Sequence, residues 1–365
     1  MNVERWGRKA RLAVGLALVL TVWGTGGVIL QGSAGQGGYS TGVGGSVAGV
    51  EEDGPADRAG LMVDDRIVRV GDHSLTQAWT KPERDRVGVG KTQSLVIDRD
   101  RERLEADVVW EALSRVHWQR LFVDYLVTLA FLGFGVWALL AAGTPAGLLL
   151  AALGLSYAAA NFNGPRFAAV EGGLGFLQYN LSFLVTVVLF HFFLVFPRRK
   201  SLFGRRVPGW LVYLPFMPFL FLGLVESAVF PALLPEYRTV TAVTDLLYMV
   251  LALAALIHTA VTLGRAELRR SRFSCVLWGL AVAFGPLLAL GLLRLGLPEF
   301  TLPGSGFLPL LGAVIPASMA LAVVGGAGAT SGEPTDQPGH HRVSTLPDTP
   351  ATVSCQDVAV GTERD

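Results

Sequence analysis

Apolar runs dominate this chain, and each of about eight approaches the roughly 20 residues that a helix needs to cross the hydrocarbon core of a bilayer. They cover 12–30, 121–141, 146–160, 174–196, 210–230, 240–263, 274–295 and 307–324. Composition agrees, since 51% of the residues are hydrophobic and only 16% charged, against a usual charged share of about 25%. Mean hydropathy is +0.47. Backbone polar groups in lipid have no water to bond to and must pair among themselves. The expected fold is therefore a mostly α-helical polytopic membrane protein.

Charge sets the expected orientation. Lys and Arg close to membrane helices are retained on the cytoplasmic side, and Arg5, Arg8, Lys9 and Arg11 precede the first run. That run reads as an uncleaved signal anchor, or as a cleaved signal peptide because its apolar core, 12–23, is short; no clear Ala-x-Ala site follows it. The N-terminus is then inside and residues 31–115 are outside. Alternation puts 197–207 and 264–273 in the cytoplasm, where Arg198, Arg199, Lys200, Arg205, Arg206, Arg265, Arg269, Arg270 and Arg272 cluster. The expected outer loops NFNGPRFAAVEGG, PALLPEYRT and GLPEFTLPGSG carry only Arg166 and Arg238. The resulting division is 1–30, cytoplasmic N-terminus and first span; 31–115, extracytoplasmic domain; 116–324, a module of seven further helices; and 325–365, a cytoplasmic tail. A net charge of +1, spread over separate clusters, does not fit a nucleic-acid binder, which needs a concentrated basic surface.

The segment between the first two spans reads as a small α/β domain. SVAGVEE alternates as a strand does, DGPADRAGL combines a turn with a short helix ending near Gly60, and RIVRV resumes alternation into a turn at GDHSL. GKTQSLVIDRDRERLEADVVW reads as two strands joined by a charged hairpin turn, and Gln77 to Arg86 as a second helix between the halves. The pattern VxxVxxxGPAxxAGLxxxDRIxxVG from Val47 to Gly71 resembles the bacterial PDZ domain. The family's usual Gly-Asp appears here as Asp64-Asp65.

That resemblance implies structural roles for Gly54, Pro55, Ala56, Ala59, Gly60, Leu61, Asp65 and Ile67, which pack a helix against the sheet. It also implies a peptide-binding function. PDZ domains take up an extended peptide, commonly a C-terminal tail, as an added strand, and backbone amides of a loop receive its carboxylate. The matching loop here is YSTGVGG, with Gly42, Val43, Gly44 and Gly45 as the peptide-binding residues. The spacing from this loop to the Gly-Pro-Ala turn is shorter than the family's, so residues 35–45 read either as that loop or as a flexible tether.

One span, an outer PDZ-like domain and about seven further helices, with the segment FLVTVVLFHFFLVFPRRK and the outer loop NFNGPRF, is similar to the sensory half of competence-pheromone-receptor histidine kinases and related bacterial signalling proteins. The resemblance implies a bacterial plasma membrane location and a catalytic output domain after the last helix. Residues 325–365 instead are rich in Gly, Pro, Ser and Thr, a composition that cannot bury a core and reads as disordered. No kinase or phosphatase activity is expected of this chain. It is either a stand-alone receptor module or a truncated relative whose tail is out of frame.

No cofactor or metal site is expected. None of the six histidines sits in the His-Glu-x-x-His spacing of an intramembrane metalloprotease, and Cys275 and Cys355 have neither a disulfide framework nor metal-ligand spacing. Gly304-Ser305-Gly306 lacks a basic partner for a nucleophilic serine, and GVGKT lacks the first glycine of a phosphate loop. Within the apolar runs, Asn180 and His191 fall on one helix face about three turns apart. They read either as a polar stripe in a ligand-responsive cavity or as interhelical hydrogen bonding. The expected function is a sensory, receptor-like membrane module that binds an extracytoplasmic peptide or protein and transmits to a cytoplasmic signalling partner. The alternative is a non-signalling adaptor that tethers envelope proteins.

Overall fold

Helices carry most of the chain, and among the described residues five are long and apolar enough to cross a membrane: Gly7–Ser33, Arg115–Ala142, Thr239–Thr262, Phe273–Leu290 and Gly306–Gly326. The computed structural model describes residues 3–33, 35–41, 45–74, 88–162, 171–198, 200–202, 205–206, 208–219, 234–264, 267–268, 271–296 and 305–331. In chain order they form α1 (Val3–Ser33), β1 (Tyr39–Thr41), β2 (Val47–Val50), α2 (Pro55–Arg58), β3 (Arg66–Val70), β4 (His73–Ser74), β5 (Thr92–Arg99), β6 (Glu102–Val109), α3 (Arg115–Ala142), α4 (Pro145–Asn161), α5 (Glu171–Val195), β7 (Ser201–Leu202), β8 (Arg205–Arg206), α6 (Leu234–Thr262), α7 (Phe273–Gly296) and α8 (Val314–Ser331). Two 3₁₀ segments, Gly209–Val212 and Ser305–Ala313, complete them.

The α3–α4 hairpin shows how local sequence fixes the bundle. Gly143 ends α3 with a left-handed φ of 57° and its amide donates to the Leu139 carbonyl at 3.0 Å, the role that glycine fills without steric cost. Thr144 then caps α4 by accepting from the Gly147 amide at 3.2 Å, and Pro145 occupies the first turn, where its missing N–H costs nothing. The two helices pack backbone to backbone. A Cβ added at Gly135 would fall 2.6 Å from the Leu150 carbonyl oxygen, and one at Gly147 would fall 2.8 Å from that of Ala138. Such close approach gives dispersion contacts where no hydrophobic effect drives association.

A single apolar core joins α3 to α8. It includes Ala138 of α3, Leu150 and Leu153 of α4, Val188 and Phe192 of α5, Ala252 and Leu256 of α6, Val276 of α7 and Met319 of α8. The C-terminal ends of α3, α5, α6 and α8 therefore meet the N-terminal ends of α4 and α7. The described residues of the basic stretches 197–207 and 264–273 lie at this end of the bundle. Arg198 pairs there with Glu267, and Lys200 reaches back to donate to the Ala255 carbonyl.

Two expected helices begin differently. The run 210–230 opens as the 3₁₀ turn Gly209–Val212 followed by further turns, because Pro208, Pro215 and Pro218 each remove a helix donor. Its residues 220–230 lie outside the described residues. The run 307–324 starts within the 3₁₀ segment Ser305–Ala313, which contains Pro309. The break expected after Val324 is also absent, since α8 continues to Ser331. Gly325 lets the Arg272 side chain lie against the helix, 2.5 Å from where a Cβ would stand, so packing offsets the helix cost of glycine, about 1 kcal/mol. Residues 332–365 lie outside the described residues.

Between α1 and α3 stands a domain of strands. β4, β3, β5 and β6 form a four-stranded antiparallel sheet in that order, and β1 pairs antiparallel with β2. Val47, Ala56, Leu61, Ile67, Leu95, Ile97 and Val108 make its core. The β5–β6 turn places Asp100 and Arg101 at φ 54° and 73°, the conformation that a two-residue hairpin requires at both centres. Residues 35–41, for which a flexible tether was one reading, contain β1 and the Gln36–Glu111 bridge. The expected second helix, Gln77 to Arg86, lies outside the described residues.

Asp65 locks this domain. It is 2% exposed and takes a fork of two bonds from Arg99, Nε to Oδ1 and Nη2 to Oδ2, both 2.7 Å. The Met62 amide adds a third at 2.8 Å, while the Asp65 carbonyl accepts from the Val47 amide at 2.7 Å. The Arg99 fork is the main reason why the carboxyl is held below its ordinary range and the guanidinium above its own. Removing one partner of a buried pair costs about 3–5 kcal/mol. Asp65→Ala should therefore lower hydrogen-exchange protection of β3 and β5 at least about a hundredfold, which is about 3 kcal/mol, with the membrane helices unchanged. Because the folded value is depressed, the stabilisation is complete above about pH 5. It is lost as the pH falls through the unfolded value near 3.9 and then the lower folded one. The same amides should lose protection across that window in the native chain.

Candidate functional site

The Gly-Pro-Ala and Ala-Gly-Leu residues build the turn that the sheet rests on. Gly54 precedes α2 in extended conformation, Pro55 and Ala56 are buried in its first turn, and Ala59 ends it. Gly60 turns the chain at φ 78°, and the Leu61 amide returns to the Ala56 carbonyl at 2.9 Å. Leu61 and Ile67 then enter the core. Asp64 holds φ 74°, which Asp tolerates better than most residues. Of the loop assigned to peptide binding, Gly42, Val43 and Gly44 lie outside the described residues. Gly45 is buried with φ 83°. The loop connects β1 to β2, and each strand of that two-stranded pair has an edge.

The entry and exit of the strand domain are tied to each other. The Gln36 amide donates to the Glu111 carbonyl at 2.7 Å, and the Glu111 amide donates back at 3.1 Å. Arg58 pairs with the Glu111 carboxylate. Ser114 caps α3 by accepting from the His117 amide, and His117 Nδ1 lies 3.7 Å from Glu51 Oε1 of the domain. Trp118, one turn into α3, covers Gly32 near the end of α1. The domain is thus clamped onto the paired ends of α1 and α3.

Below that clamp lies a site that sequence reasoning left unassembled. A cavity of about 200 Å³ opens between α1, α3 and α4. Gln31 and Val28 come from α1, Asp124, Tyr125 and Thr128 from α3, and Tyr157 and Asn161 from α4, with Phe162 just beyond. Tyr125 is fixed by a 2.6 Å bond between its hydroxyl and Thr25 Oγ1, and its ring centroid stands 5.6 Å from that of Phe162. Tyr157 stacks on Phe131 at 4.2 Å. Asn161 Nδ2 donates to the Tyr157 carbonyl at 2.9 Å, which leaves its side-chain oxygen as an acceptor. The signal was the spacing: Asp124 with Thr128, and Tyr157 with Asn161, stand four apart and so share helix faces.

The predicted polar stripe on α5 is spread along the helix. Asn180 is 1% exposed, whereas His191, about 16 Å away along the axis, bonds through Nδ1 to the Tyr213 hydroxyl at 2.9 Å. His191 docks on the 3₁₀ segment, with its Nε2 2.8 Å from where a Cβ at Gly209 would stand. An interhelical bond that the sequence did not suggest joins α5 to α6, where Thr186 Oγ1 donates to Asp245 Oδ1 at 2.5 Å. The Tyr248 hydroxyl donates to the Val212 carbonyl at 2.7 Å, inside an aromatic cluster with Phe183 and Phe216. At the basic end, burial pushes the Lys200 ammonium down to about 8. Among the described residues, no three His, Cys, Asp or Glu side chains gather as metal ligands.

No protein-family model, no curated protein and no solved structure matches this chain.

The Thr186–Asp245 bond should be measurable as a coupling. In a double-mutant cycle with Thr186→Val and Asp245→Ala, unfolding in detergent micelles should give an interaction energy of about 1 kcal/mol, between the mean and maximum for hydrogen bonds inside membranes. Strict additivity would mean that the bond does not hold α5 to α6.

Proposed function

We propose that this chain is a sensory, receptor-like membrane module of bacterial type. In this reading α4, α5 and the run 210–230 join the five long helices to give eight spans, the strand domain is an extracytoplasmic PDZ-like domain, and both termini face the cytoplasm. α5, with 25 residues, is about 37 Å long at 1.5 Å per residue, enough to cross. An extracytoplasmic peptide or protein is captured by strand addition at β1, with the amides of Gly42 to Gly45 receiving a terminal carboxylate.

The observation that carries the reading is the clamp. Because Gln36 and Glu111 pair through their backbones, the domain cannot tilt without moving the ends of α1 and α3. Both helices pack on α4, which enters the core shared by all the later helices. A ligand that binds one tilt more tightly than another would shift the bundle by that difference in affinity and no more. The basic loops at the opposite end, tied by Arg198 and Glu267, are where a cytoplasmic partner would read the shift.

The test uses the full chain in nanodiscs and a library of peptides with free C-termini. A binding peptide should change hydrogen exchange at 197–202 and 264–272, and Gly44→Pro, which removes one candidate amide donor, should weaken it at least about tenfold, the value of one bond to a charged group, without changing the melting temperature. Peptide binding with no change at those loops would instead identify an adaptor that tethers envelope proteins. Absence of any peptide binding would overturn the peptide reading.

A further inference from the structure

We propose that the cavity between α1, α3 and α4 is a binding site for an organic ammonium group, on a free amine or on an aminophospholipid headgroup. The inference stands apart from peptide capture, since it uses neither β1 nor its loop.

A carboxylate drives it. Asp124 lies within a span and borders the cavity. Among the described residues it takes part in no ion pair or side-chain hydrogen bond; Thr128 bonds its backbone carbonyl. Charged groups inside membrane segments are costly and normally face a partner or a cavity. Among the described residues no basic side chain lines this cavity, and Arg120, exposed one turn towards the helix start, acts on the carboxylate from outside it. A cationic guest in the cavity would bring a countercharge to that carboxylate.

The remaining walls select its type. Tyr125, Tyr157 and Phe162 present ring surfaces, which attract cations through their quadrupoles, and Asn161 adds an acceptor oxygen. Ca²⁺ and Mg²⁺ take six or more oxygen ligands at about 2.0–2.6 Å, and Asp124 is the one carboxylate among the described residues that line this space of about 200 Å³. A neutral guest would leave the carboxylate unpaired. An anion would face it directly. An ammonium with a small apolar body satisfies both the charge and the rings.

The position also gives the site a route in. Gln31 and Asn161 stand at the helix ends that border the strand domain, so the cavity opens where lipid headgroups and aqueous solutes both reach it. Thr25 bonds Tyr125 across the α1–α3 contact, so an occupant would bear on the same helix pair that the domain is clamped to.

The experiment measures binding of benzylammonium and of its neutral counterpart, benzyl alcohol, to the full chain in phosphatidylglycerol nanodiscs. Benzylammonium should bind saturably and at least tenfold more tightly than the alcohol, and Asp124→Asn should remove that preference. If a headgroup is the natural occupant, phosphatidylethanolamine nanodiscs should weaken benzylammonium severalfold and that lipid should co-purify with the native chain. If a free amine is, the two lipids should give equal affinities. Equal binding of amine and alcohol, no saturable amine binding in phosphatidylglycerol, or an unchanged preference in Asp124→Asn would overturn the proposal. Should Asp124→Asn not fold, the amine-to-alcohol ratio on the native chain, together with Asp124→Glu retaining it, decides the matter.

Discussion

Two backbone hydrogen bonds between Gln36 and Glu111 govern how the strand domain of this molecule relates to its helix bundle. A domain inserted between two helices by single strands of chain would swivel. Pairing the incoming strand with the outgoing one converts two flexible joints into one short ladder, and side chains on both flanks reinforce it. Glu111 is bridged by Arg58, and His117 stands beside Glu51. Because α1 then packs on α3 and α4, the strand domain is an extension of the helix pair rather than a load carried on a tether.

Inside the bundle a different economy holds. Lipid offers no water to escape from, so the helices associate where backbones come close and where a few polar groups meet. Gly135 and Gly147 bring α3 and α4 together, and Thr186 with Asp245 bridges α5 to α6. The strand domain depends on the opposite balance. Its aliphatic core is driven by water, and the buried charge of Asp65 is matched by the planar fork of Arg99.

Much of the local structure was legible. The break between the runs 121–141 and 146–160, the short helix after Gly54 and the strands of RIVRV and TQSLVIDR follow from hydropathy, turn chemistry and alternation. What was not legible depends on partners distant in sequence. Gly-rich residues 35–41 carry no strand signal of their own, and become a strand because β2 and Glu111 offer pairing. Gly325 reads as a helix end, yet Arg272 occupies the space that a side chain would take. The cavity draws on three helices far apart in the chain, and Asp124 alone does not reveal which rings surround it.

Lys200 carries a consequence of its own. With its ammonium on the Ala255 carbonyl and its proton held only to about 8, it is partly neutral at ordinary cellular pH. Arginine does not titrate there, and its guanidinium stays charged whatever the surroundings. Arg198, Arg199, Arg205 and Arg206 therefore keep their charge at every cellular pH, while the charge of Lys200 varies with pH and its ammonium moors this stretch to α6.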